Sequence, residues 1–135
     1  MSNRPVPVED YLTEFYWEGV KKEQLLIQRC QLCGHWNHPP MERCPKCGAS
    51  ELKPEPVPLR GEVFSYCVTY QSRISGFEDQ VPYLVAIVKI DTLPIKIALN
   101  LLNTKPETVH IGMPVNIIFE QRDGISLPQA IPRKM

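Results

Sequence analysis

The chain has 135 residues, room for one ordinary domain or two very small ones. Fifteen Lys and Arg balance fifteen Asp and Glu, so the formal net charge is zero. Dedicated nucleic-acid binders are usually basic, because phosphate neutralisation supplies most of their affinity, and this balance counts against DNA or RNA as a partner.

No apolar run approaches the roughly 20 residues that a membrane span needs. The opening stretch from Met1 to Asp10 lacks the apolar core of a signal peptide, so a cytoplasmic protein is expected. Fourteen Pro against seven Gly fits many short strands and loops better than long helices. Five Cys would sit awkwardly in a secreted disulfide scaffold, and their paired spacing points to metal.

Residues 8–21 read as an amphipathic helix, with Leu12, Phe15, Tyr16 and Val20 at helical spacing. Pro5 and Pro7 precede it, and Gly19 is expected to mark its fraying end. Tyr11, Phe15, Tyr16 and Trp17 give one short helix much aromatic surface. Aromatics are enriched at interfaces, so a partner contact through Phe15, Tyr16 and Trp17 is weighed evenly against packing on the chain's own body.

Residues 24–29 hold Leu25, Leu26 and Ile27 and read as a strand leading into the first Cys pair. The metal segment spans residues 30–48. Residues 53–58, Lys-Pro-Glu-Pro-Val-Pro, read as a stiff linker. From Gly61 the pattern is β. Residues 61–71 alternate, with Val63, Ser65, Cys67 and Thr69 on one face and Phe64, Tyr66, Val68 and Tyr70 on the other. A polar loop at 72–80 precedes strands at 83–90, 95–102, 115–120 and 125–131, with tight turns at 91–94 and 122–124. Five short strands of this kind suggest a closed barrel of the OB type, which removes exposed edges.

Cys30-Gln31-Leu32-Cys33-Gly34 and Cys44-Pro45-Lys46-Cys47-Gly48 are two copies of one knuckle, separated by ten residues. Two intervening residues let one tight turn aim both sulfurs at a single ion, and the Gly after the second Cys can turn left-handed. Four thiolates in a tetrahedron suit a structural Zn²⁺. Iron is the rival, as in a rubredoxin-like electron carrier. A site closed by four protein ligands has no position for water and should not be catalytic; its work is to fold a segment too small to fold alone.

Arg29, Arg43 and Lys46 flank the ligands and offset the formal charge of the thiolates. Their sharper role is a basic patch for the phosphates of a nucleotide-like ligand. His35 and His38, on either side of Trp36, are expected to be solvated or hydrogen-bonded rather than ligating. Cys67, mid-strand, is expected to be a buried small apolar residue. His110 reads as loop. There is no Gly-rich phosphate loop, no paired carboxylate on a helix and no Ser-x-Gly elbow, so no catalytic residue is assigned.

From Phe15 to Pro132 the chain resembles a family of small proteins with an N-terminal rubredoxin-like zinc ribbon and a C-terminal OB fold, long labelled a domain of unknown function. The likeness is carried by Phe15-Tyr16-Trp17 and Gly19, by Leu25 to Cys30 with Cys33-Gly34, and by Pro39-Pro40 with Cys44-Pro45-Lys46-Cys47-Gly48. In the barrel it is carried by Gly61-Glu62-Val63, Ser65-Tyr66, Pro82 to Ala86, Ile111 to Val115 and Leu127-Pro128.

The resemblance implies a mainly β chain in three parts: an N-terminal helical segment at 1–23, a zinc ribbon at 24–56 and a five-stranded OB-fold barrel at 57–135. It also implies a non-catalytic accessory subunit of a hetero-oligomeric thiolase-type complex. A thiolase-fold partner would make or break carbon–carbon bonds on acyl-CoA. The small subunit would bind or channel the CoA thioester and complete the partner's active site, with Arg29, Arg43 and Lys46 as candidate CoA phosphate contacts. The alternative is a nucleic-acid-binding zinc-ribbon and OB module, with Phe64, Tyr66 and Tyr70 as a stacking face.

Overall fold

The computed structural model describes residues 6–74 and 76–133. Its elements run α1 (Glu14–Lys21), β1 (Leu26–Cys30), β2 (Trp36–Asn37), β3 (Leu52–Pro56), β4 (Arg60–Thr69), β5 (Tyr83–Ile90), β6 (Lys96–Leu101), β7 (Pro114–Arg122) and β8 (Ile125–Pro132). Pro5 and, within the 72–80 loop, Ser75 lie outside the described residues. No helix among those described is long and apolar enough to cross a membrane.

The helix is shorter than its sequence pattern suggests. The Asp10 carboxylate accepts the backbone N–H groups of Leu12 and Thr13 and the Thr13 hydroxyl, which closes a side-chain turn ahead of α1. Helical geometry therefore begins only at Glu14. Gly19 is not a fraying end. It is buried inside the helix, and a Cβ there would meet the Leu26 side chain at 2.8 Å. Gly19 thus lets the helix lie close against the first ribbon strand.

The ribbon is a three-stranded antiparallel sheet in the order β2-β1-β3. Its third strand corrects the linker reading of residues 53–58. Val57 N–H donates to the Leu25 carbonyl, so alternate residues Lys53 and Glu55 also face β1. Pro54 and Pro56 consequently point outward, where the missing N–H costs no ladder bond and discourages further pairing.

The C-terminal strands form a closed barrel in the order β4-β5-β6-β8-β7, with β7 returning to β4 and β6 meeting β8 in parallel. On β5 the alternation places Leu84, Ala86, Val88 and Ile90 inward. They belong with Ile97, Leu99, Val115, Ile117 and Ala130 to one buried cluster that also includes Val57, Leu25, Ile27 and, from α1, Tyr16 and Val20. Ribbon, helix and barrel therefore share one core.

The two faces expected for β4 are also corrected. A bulge lies between Val63 and Ser65, so Val63 opposes Val88 while Tyr66 and Val68 oppose Ala86 and Leu84. Directly opposed residues share a face. Val63 therefore lines up with Tyr66 and Val68, not with Ser65, Cys67 and Thr69. Cys67, expected to be buried, is exposed.

Candidate metal centre and surrounding surface

Each knuckle closes the same way. Gly34 N–H donates to the Cys30 carbonyl at 3.0 Å, and Cys30 N–H to the His35 carbonyl at 2.9 Å. Gly48 N–H donates to the Cys44 carbonyl at 2.8 Å, and Cys44 N–H to the Ala49 carbonyl at 2.9 Å. Both Gly34 and Gly48 sit at φ +79°, where a Cβ would strain the backbone.

The two turns bring the Sγ atoms of Cys30, Cys33, Cys44 and Cys47 within 4.8 Å of one another. Cys30 and Cys47 sulfurs lie 3.6 Å apart, as do those of Cys33 and Cys44. A tetrahedron with Zn–S bonds of about 2.3 Å has edges of about 3.8 Å, so the four sulfurs fit one Zn²⁺. At Cys30 a backbone amide favours the thiolate, with the Cys33 N–H donating to its sulfur at 3.5 Å. The Cys33 N–H, against the opposing effect of burial and joined by Leu32, lowers the Cys30 thiol to about 6.

The cations beside the ligands are built in pairs. Arg29 Nε donates to the Gly34 carbonyl at 3.2 Å, and Arg43 donates from a terminal nitrogen to the Gly48 carbonyl at 3.1 Å. Each arginine, one residue before its knuckle, thus ties down the carbonyl of the Gly that ends it. Arg29 is held further, 3.7 Å from Glu55 and 4.7 Å over the Trp36 ring. Arg43 and Lys46 remain exposed. His38 stacks on Tyr16 with ring centroids 5.6 Å apart, and neither it nor His35 joins the sulfur cluster.

The aromatic residues of α1 divide. Tyr16 is 9% exposed and belongs to the core of this chain, where burial pushes its phenol up to about 12. Phe15 and Trp17 are half-buried against that core, and Tyr11 is exposed. Trp17 walls a cleft of about 290 Å³ with Phe77 of the 72–80 loop, above Asn100, Arg122 and Gln129.

Arg122, expected in the turn at 122–124, is instead the last residue of β7. It is buried, with a 2.9 Å ion pair to Glu120. Its position two residues beyond Glu120 on one strand face was the available signal. Phe64, Tyr66 and Tyr70 are all exposed, and Lys96 Nζ sits 3.9 Å over the Phe64 ring.

Comparison with known proteins agrees with this architecture. The model of the ChsH2 rubredoxin-like zinc ribbon domain matches residues 17–53, and that of the ChsH2 C-terminal OB-fold domain matches residues 54–120. A DUF35 domain-containing scaffold protein of Methanocaldococcus jannaschii is 34% identical over 78% of this chain and 74% of its own length. The chain belongs to the DUF35 family. It is a zinc-ribbon protein, and its four ribbon cysteines are positioned to bind the metal.

A probable enoyl-CoA hydratase alpha subunit of Thermomonospora curvata is 33% identical over 97% of this DUF35 chain, which spans 41% of that relative's length. Among solved structures, a chain of an Ltp2-ChsH2(DUF35) aldolase superposes with a TM-score of 0.84 at 32% identity, covering 94% of this chain and 98% of the other. A DUF35 protein of Sulfolobus solfataricus, 16% identical with a TM-score of 0.66, shares the fold.

Proposed function

We propose that this chain is a non-catalytic zinc-binding subunit of an acyl-CoA enzyme complex, with a thiolase-fold catalytic partner that makes or breaks a carbon–carbon bond. It binds or channels the CoA thioester beside that partner and completes its active site. Orienting a bound thioester contributes to catalysis without any reacting side chain of the subunit's own. The closed four-thiolate site supplies folding energy, not a reactive position.

The observation that carries this reading is the near end-to-end superposition on a chain of an Ltp2-ChsH2(DUF35) aldolase. The hydratase alpha subunits among the relatives favour the same setting, an acyl-CoA enzyme of more than one subunit. The thiolase fold of the partner rests on the family likeness. Within this reading, Phe15 and Trp17 on α1 face the partner, while Arg29, Arg43 and Lys46 lie toward the CoA phosphates.

A tagged copy expressed in its own host, purified and analysed by mass spectrometry, tests the proposal. The expected result is a stable complex with a thiolase-fold protein that turns over an acyl-CoA, while the isolated chain turns over none. Recovery of the chain alone, or with nucleic acid, would sink the reading. Recovery with a hydratase would remove the thiolase fold and the carbon–carbon chemistry of the partner and leave the accessory role in an acyl-CoA complex.

A further inference from the structure

Strand β4 is paired on one edge for only part of its length. It meets β7 through Arg60, Gly61 and Glu62, and Val63 adds bonds to Met113 and Gly112. Beyond the bulge, Ser65 to Thr69 continue in regular register with β5. Among the described residues, nothing pairs with their other edge. In an antiparallel strand alternate residues turn their N–H and C=O away from a given neighbour, so this stretch presents a row of main-chain groups without a strand partner.

The strand's own side chains do not guard it, and the Lys96 ammonium from β6 reaches only Phe64 at its start. Residues 64–72, Phe-Ser-Tyr-Cys-Val-Thr-Tyr-Gln-Ser, contain no charge, no Pro and no Gly. Open edges in native proteins are usually blunted by Lys, Pro, a bulge or a covering loop. Here the bulge precedes the open stretch. The same chain guards the outer edge of β3 with two prolines. Phe64 is 50% exposed, Tyr66 38% and Tyr70 65%. An unguarded edge flanked by aromatics is the sequence and geometry of a covered one.

We propose that an extended segment of the catalytic partner adds to this edge as a further β-strand, pairing with Ser65 to Thr69 and packing its side chains on Tyr66 and Tyr70. The main chain selects an extended peptide as occupant, since only another backbone offers alternating donors and acceptors at strand spacing. The lack of charge selects an uncharged segment. The inference rests on the proposed function, which supplies the partner.

Amide hydrogen exchange on the free chain and on the purified complex tests it. In the free chain, amides of residues 65–69 bonded to β5 are protected and the alternate, outward amides are not. In the complex the outward amides should slow by at least about tenfold. A double variant, Ser65→Lys with Cys67→Lys, should weaken the complex by a similar factor while zinc content and melting temperature stay unchanged, because both side chains are exposed.

A complex that forms with no slowing at 65–69 overturns the strand addition and leaves the proposed function standing. Failure to form any complex overturns both. Slowing that appears in the chain alone as its concentration rises, with a dimer by sedimentation, assigns the edge to a second copy instead and also overturns the proposal.

Discussion

At the scale of single residues, the metal centre was the most legible part of the chain. Ligand spacing is local, so Cys30, Cys33, Cys44 and Cys47 declare their geometry before any tertiary contact is known. What the sequence could not show is the second duty of Arg29 and Arg43. Each binds the carbonyl of its knuckle's closing Gly, a link five residues long that no periodicity reveals. Cys44→Ser should therefore yield insoluble or protease-sensitive protein, since metal-binding energy is folding energy in so small a ribbon. Metal analysis of the parent should give about one colourless zinc per chain. A folded, metal-free Cys44→Ser protein would contradict the structural role.

At the scale of elements, the strand pattern of short apolar runs between turns located all five barrel strands, with alternate burial along β5 and β6 and five consecutive buried residues in β8. It failed where a local device overrode the period. The bulge after Val63 exchanged the faces of β4. Two prolines disguised β3 as a linker, and β2, with two residues, is too short to carry a pattern. Asp10 shortened the helix by competing for the amides that would have continued it.

Gly61 shows a close approach that conformation alone would hide. A Cβ there would overlap the Lys89 carbonyl oxygen across the ladder. Gly61→Ala should destabilise the fold by about 2 kcal/mol or more, as forced overpacking does. An unchanged denaturation midpoint would mean that β5 gives way freely. Glu120→Ala strips the carboxylate from Arg122, whose side chain is 7% exposed. Glu120 is itself 25% exposed, so the cost should be about 2 kcal/mol, less than for a fully buried pair.

At the scale of the whole molecule, a neutral chain can still carry local concentrations of charge, and Arg29, Arg43 and Lys46 are each the chain neighbour of a ribbon cysteine. CoA carries several phosphate charges at its adenosine end, and basic side chains are the usual partners for phosphate. The three cations are not equivalent. Arg29 is engaged by Gly34, Glu55 and Trp36, so removing it should disturb the ribbon. Arg43 has one carbonyl partner and an exposed side chain, and Lys46 is exposed at the tip of its knuckle. In the complex, Arg43→Ala or Lys46→Ala should raise the KM for the CoA substrate with little change in kcat, as expected when uniform binding is lost. The effect should be largest at low salt, because exposed phosphate contacts are screened. Arg29→Ala should instead lower the melting temperature or zinc retention. Unchanged KM at low salt in both the Arg43 and Lys46 variants, with the complex intact, would remove these two residues from the CoA site and leave them as neighbours of the ribbon cysteines.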